Sequence, residues 1–104
     1  MKGGHRMNVI TPKEVASLME DEKEVSIIDV READEVASGA IPGIKHIPLG
    51  ELDERKEELD KTKEHILVCR SGKRSAAACN QLAAEGYTVK NMTGGMNEWG
   101  GRVE

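Results

Sequence analysis

Apolar residues along this chain come in short runs divided by charged stretches, and the runs switch between extended and helical spacing. Residues 8–10 are a short strand candidate. Thr11-Pro12-Lys13-Glu14 follows, combining a capping Thr, Pro at the first helical position and Glu three residues after the cap. Val15, Leu18 and Met19 then share one helical face. Residues 25–30 are nearly continuous in β-branched and apolar side chains, the pattern of a strand covered on both faces. Arg31-Glu32 ends that run, and residues 33–38 predict a short helix stopped by Gly39.

Pro42-Gly43 marks a turn, and residues 44–47 predict a short strand before Pro48. Residues 50–59 are highly charged, with Leu52 and Leu59 seven apart, which reads as an exposed helix. Ile66-Leu67-Val68 is a second buried strand. Residues 75–85 form an Ala-rich helical stretch with Ala78, Cys79, Leu82 and Ala83 inward and Gly86 as its stop. Residues 87–89 predict a last strand, followed by Gly94-Gly95 and a short helix to Trp99. Strands alternating with helices predict an α/β sandwich with a mainly parallel sheet covered by helices on both faces.

The 104 residues suit one compact domain, expected over residues 8–101, with residues 1–7 set aside as a tag remnant or disordered leader. Aromatic residues are limited to Trp99 and Tyr87, so the core must be built from aliphatic side chains and Met. The net charge of −4 and the lack of a basic stripe speak against a nucleic-acid partner. No apolar run is long enough for a membrane span or signal peptide. Two cysteines are too few for a disulfide framework, so the expected compartment is the reducing cytoplasm. No nucleotide fingerprint appears and the histidines lack metal-ligand spacing, so neither cofactor nor metal is implied.

One segment changes this picture: Cys69-Arg70-Ser71-Gly72-Lys73-Arg74-Ser75. It lies between a buried strand and a helix, at the strand's carboxyl end, where α/β proteins bind ligands. A tight loop entering a helix turns successive backbone N–H groups toward one point, and Gly72 permits the positive φ this requires. Arg70, Lys73 and Arg74 surround the cysteine in an otherwise acidic chain, which points to a small anionic substrate. A free thiol of pKa about 8.5 is only about 3% ionised at pH 7. Lowering that pKa by about two units, worth about 2.7 kcal/mol, makes it roughly three-quarters thiolate. N–H donors, a helix N-terminus and nearby cations together supply that much. Cys69 is therefore the expected nucleophile rather than a small hydrophobe ending a strand. Arg70, Ser71, Gly72, Lys73, Arg74 and Ser75, the last as the helix N-cap, are the expected substrate-binding residues. Cys79 lies on an apolar helical stripe and reads as core.

These residues resemble a known family. Ile28-Asp29-Val30-Arg31-Glu32, Gly39-Ala40-Ile41-Pro42-Gly43 continuing through His46-Ile47-Pro48, the Cys69–Ser75 loop, and Gly94-Gly95-Met96 with Trp99 resemble, in order, the four motifs of the single-domain rhodaneses. The resemblance spans residues 8–99 and implies a rhodanese-like three-layer sandwich. It also implies transfer of sulfane sulfur from thiosulfate or a persulfide, through a cysteine persulfide, to a thiol, cyanide or protein acceptor. One departure is Ala40, where the family often carries His; that position concerns substrate placement rather than the nucleophile.

Asp29 and Arg31 are expected to form a structural ion pair, with substrate steering as the alternative. His46 and His65 are expected to be structural, and Trp99 to plug the core. A cysteine phosphatase would need five residues between Cys and Arg. Here four separate Cys69 from Arg74, a smaller ring that suits sulfur better than phosphate. Arsenate reduction, a non-enzymatic binding module and a sulfur carrier are the remaining alternatives.

Overall fold

The structure is a computed structural model that describes residues 8–21 and 24–104; the predicted leader at residues 1–7 lies outside them. Five strands make one sheet: β1 (Val9–Ile10), β2 (Ser26–Asp29), β3 (Lys45–His46), β4 (Glu64–Val68) and β5 (Thr88–Met92). Their spatial order is β1-β5-β4-β2-β3, and every pair is parallel. The helices are α1 (Pro12–Glu20), α2 (Ala33–Ala37), α3 (Leu52–Arg55) and α4 (Lys73–Ala83), with short 3-10 turns at Leu49–Glu51, Lys56–Glu58 and Gly95–Glu98.

Strand pleating explains the layers. Successive side chains point to opposite faces, so Ile28, Leu67 and Val89 meet Leu52, Ala78, Cys79 and Leu82 on one side. Ile27, Ile66 and Val68 meet Val15 and the flanking Leu18, Met19 and Trp99 on the other. Helices thus cover both faces, as the alternation of elements predicted. The α1 start carries the predicted capping box: the Glu14 N–H donates to Thr11 Oγ1 at 3.1 Å and the Thr11 N–H to Glu14 Oε1 at 3.0 Å.

Four local expectations are corrected. Residues 50–59 are not one exposed helix: α3 spans a single turn between two 3-10 turns, because Leu52 and Leu59 are both buried under the sheet. Helix α4 begins at Lys73 with Gly72 as its N-cap, so Ser75 lies inside the first turn; a left-handed Gly72 (φ 100°) swings the loop directly into the helix. Ala83 is exposed, the inward stripe being Ser75, Ala78, Cys79 and Leu82. The last strand runs on to Met92, because Asn91, polar in sequence, has its hydrogen bonds met inside the fold.

Asp29, Arg31, His46, His65 and Trp99 take the structural places expected of them. Asp29 and Arg31 are buried and paired, Nη2 to Oδ2 at 2.8 Å, and the same guanidinium donates to Gly39 O at 2.9 Å. His46 Nε2 donates to Arg31 O at 2.7 Å. His65 Nε2 donates to Asp60 O at 2.8 Å, which leaves Nδ1 to accept from Ser26 Oγ at 2.6 Å. Trp99 is half-buried against the α1-side core, and its indole N–H donates to Arg102 O at 3.0 Å. Beyond it the chain pairs with the Ala40 backbone, through Glu104 N to Ala40 O at 2.8 Å and Ala40 N to Glu104 O at 3.0 Å. No helix among the described residues is long and apolar enough to cross a membrane.

Candidate active site

Strand order locates the site before any side chain does. After β2 the chain moves to β3 on one side, and after β4 to β5 on the other. The β2/β4 pair is therefore the point where the winding reverses, and the space beyond its carboxyl ends is where open α/β sheets bind their ligands. Cys69 follows β4 there, beside Val30, whose N–H donates to Val68 O at 2.9 Å.

The loop from Cys69 to Gly72 curls around the sulfur. The Gly72 N–H donates to Sγ at 3.0 Å, and Ser75 Oγ lies 3.2 Å from it. Burial alone would push the thiol up, yet its pKa is lowered. The Ser75 hydroxyl and the N–H groups of Ser75, Gly72 and Ser71 outweigh the loss of solvent. The arrangement is a cradle of fixed dipoles at a helix N-terminus, able to stabilise a sulfur anion without a countercharge in contact.

The six flanking residues divide by position. Arg70, Ser71 and Lys73 are exposed at the rim, while Gly72 and Ser75 are buried beneath it. No ion pair among the described residues engages Arg70 or Lys73. Arg74 is different: its Nη1 and Nη2 grip Glu35 Oε1 and Oε2 at 2.6 and 2.8 Å, tying the loop to α2. Arg74 beside it holds the Glu35 carboxyl down at about 2. Cys79 faces the core from α4, where burial pushes its thiol up to about 12.

Three residues were given no part in the site from sequence. Glu35 is 39 residues from Arg74, and nothing local announces the pair. Gly95 supports the back of the loop. The Met96 N–H donates to Cys69 O at 2.8 Å and the Asn97 N–H to Arg70 O at 2.9 Å. A Cβ on Gly95 would overlap the Cys69 carbonyl and stand 2.6 Å from Arg70 O. Asn91 reaches under the loop to Ser75 and Gly72. In sequence it was an amide just past the predicted strand, with nothing to mark it as part of the site.

A parallel sheet covered by helices on both faces, with a tight cysteine-bearing loop at its winding reversal, defines the class as an α/β domain with a candidate site at the carboxyl end of its sheet. The chain belongs to the rhodanese-like domain family, whose model matches residues 11–102. It is 44% identical over 86 residues to YtwF of Bacillus subtilis strain 168, named as a candidate sulfurtransferase, covering 83% of this chain and 84% of that one. It is 33% identical over 94 residues to a sulfurtransferase of Allochromatium vinosum, covering 89% and 88% of the two chains. The crystal structure of a rhodanese-like domain protein from Staphylococcus aureus matches with a TM-score of 0.90 at 35% identity, over 94% of this chain and 97% of that one. The general activity is sulfur transfer, and the partners are a sulfur donor and a sulfur acceptor.

Proposed function

We propose that this domain transfers sulfane sulfur from thiosulfate or a persulfide to a thiophilic acceptor, with Cys69 carrying the sulfur as a persulfide. The observation that carries the reading is the convergence of the Gly72 N–H and the Ser75 hydroxyl on Cys69 Sγ. In the first half-reaction the Cys69 thiolate attacks the outer sulfur of thiosulfate. The S–S bond of the donor breaks, sulfite leaves with the electron pair, and Cys69 retains one sulfur. In the second, a thiol or cyanide attacks that outer sulfur and the Cys69 thiolate departs. The same N–H donors stabilise the thiolate as nucleophile and as leaving group, so they serve both halves.

The rim supports an anionic donor. Arg70 and Lys73 attract a dianion, and Ser71 offers a hydroxyl and a backbone N–H. Cys69 is 0% exposed, so a donor reaches the sulfur only as the rim side chains part, which favours small donors over bulky ones. Arg74, held by Glu35, acts on the loop's shape more than on the substrate. A sulfur-carrier role uses the same persulfide and differs only in its acceptor, a protein rather than a small thiol. YrkF of Bacillus subtilis, named as a candidate sulfur carrier protein, is 38% identical over 87 residues, and this chain spans about half of it (47%).

Incubation with thiosulfate, followed by intact-protein mass spectrometry and peptide mapping, tests the reading. One extra sulfur atom is expected on Cys69, removed by cyanide with release of thiocyanate, and absent from Cys69→Ser. An adduct on Cys79, or one that survives cyanide, would overturn it. If thiosulfate leaves no adduct, a small-molecule persulfide takes its place as donor, and failure with both sinks the proposal.

A further inference from the structure

Ser75 stands between two groups that compete for its single hydroxyl proton. Its Oγ is 3.2 Å from Cys69 Sγ and 2.5 Å from Asn91 Oδ1, and all three residues are buried. A hydroxyl has one proton to give and donates to one neighbour at a time. Asn91 is not free to adapt. Its Nδ2 donates to Gly72 O at 3.2 Å, which turns Oδ1, an obligate acceptor, toward Ser75. The Gly72 N–H donates to Sγ at 3.0 Å and closes the circuit.

With Cys69 as a neutral thiol every member of this ring is satisfied in one direction. The S–H donates to Ser75 Oγ, the Ser75 O–H to Asn91 Oδ1, the Asn91 amide to Gly72 O, and the Gly72 N–H to Sγ. Loss of the thiol proton removes that solution. Either Ser75 turns its proton to the sulfur and leaves two oxygens facing each other at 2.5 Å, or it keeps the proton on Asn91 and presents a lone pair to the anion.

We propose that Asn91 is a positioning residue that sets the protonation of Cys69 by competing with its sulfur for the Ser75 proton. The inference rests on the Cys69-centred reading above and deepens it. The loop N–H groups favour the thiolate, Asn91 favours the thiol, and Ser75 is the rotor between them. The charged groups around the loop are Arg70, Lys73 and Arg74 on the loop and α4, Glu32 at the N-cap of α2 and Glu35 within it, Asp29 at the end of β2 with Arg31 just past it, and Glu98 from the last 3-10 turn. None of these is altered in the test.

The test follows the ultraviolet absorbance of the Cys69 thiolate against pH. Cys79, pushed up to about 12, stays silent below that range. Asn91→Leu removes the competing acceptor. The Cys69 midpoint should move down in pH, with the thiolate fraction below it rising about fivefold, the size of one hydrogen bond's preference. In a Ser75→Ala background the same Asn91→Leu substitution should leave the midpoint where Ser75→Ala alone puts it. No shift, an upward shift, or an equal shift in both backgrounds overturns the proposal. If Asn91→Leu does not fold, the side-chain amide resonances of Asn91 in the unaltered protein replace it. They should move through the same midpoint as the thiolate absorbance, and flat resonances overturn the proposal. Sulfur transfer is not the readout: a chain that accepts no sulfur yet shows the coupling loses the proposed function and keeps the switch.

Discussion

The two cysteines lie on one loop and helix and are buried almost equally at 0% and 2% exposure, yet their pKa values are displaced in opposite directions. At Cys79 the loss of solvent is answered by nothing, and the thiol is pushed up to about 12. At Cys69 the same loss is outweighed by the Ser75 hydroxyl and three backbone N–H groups. Burial therefore does not make a cysteine inert; the absence of donors does. What separates the two is backbone geometry: a glycine in the left-handed region and a helix start aim the peptide dipoles at one sulfur and not at the other.

The largest expected effect breaks or keeps that contrast directly. At pH 7 a small alkylating agent should modify Cys69 more than about tenfold faster than Cys79, since a thiol near 12 is almost wholly protonated there and the lower intrinsic nucleophilicity of the Cys69 thiolate offsets only part of that difference. Comparable rates in the folded protein, mapped by peptide, would mean that the donors do not act as the geometry implies.

Gly95→Ala tests whether the loop's shape, rather than the cysteine alone, makes the difference. Gly95 has φ 57°, and its Cβ would run into the Cys69 and Arg70 backbone. Destabilisation of about 3 kcal/mol is expected in denaturant unfolding, together with a Cys69 midpoint shifted toward that of an ordinary buried thiol. A variant as stable and as reactive as the parent would show that the loop holds itself.

The smallest effect belongs to the Glu35–Arg74 pair. Arg74 lowers the Glu35 carboxyl from 4.5 to about 2 in the folded protein. Its stabilisation is thus fully present above about 4.5 and lost as pH falls toward 2. Both side chains are partly exposed, so solvent screening limits the pair to about 1 kcal/mol or less. Unfolding of Glu35→Gln should therefore show less acid dependence between those two pH values than the parent. An identical acid dependence would place Arg74's hold on the loop elsewhere.

Much of this was legible in one dimension. The Thr11–Glu14 capping box, the buried runs of β2 and β4 and the inward stripe of α4 announced elements and layers, because they depend on local bonds and hydrophobic period. The cysteine, the glycine and the cations announced the loop for the same reason: their chemistry is contiguous. The stretch around Leu52 was misjudged because its charges dominate the composition while two leucines decide its packing. The end of β5 was missed because an amide in a strand looks like a stop until its partners are seen.

Local sequence was enough to show that a cysteine follows a buried strand, that Gly72 turns the chain after it, and that a helix follows within a few residues, though not at which residue it starts. Only the packed fold brings Glu35 to Arg74, Gly95 behind the loop and Asn91 Oδ1 within reach of the Ser75 hydroxyl. Those contacts join residues far apart in the chain, and nothing in local periodicity or propensity encodes which distant groups a fold brings within hydrogen-bonding distance.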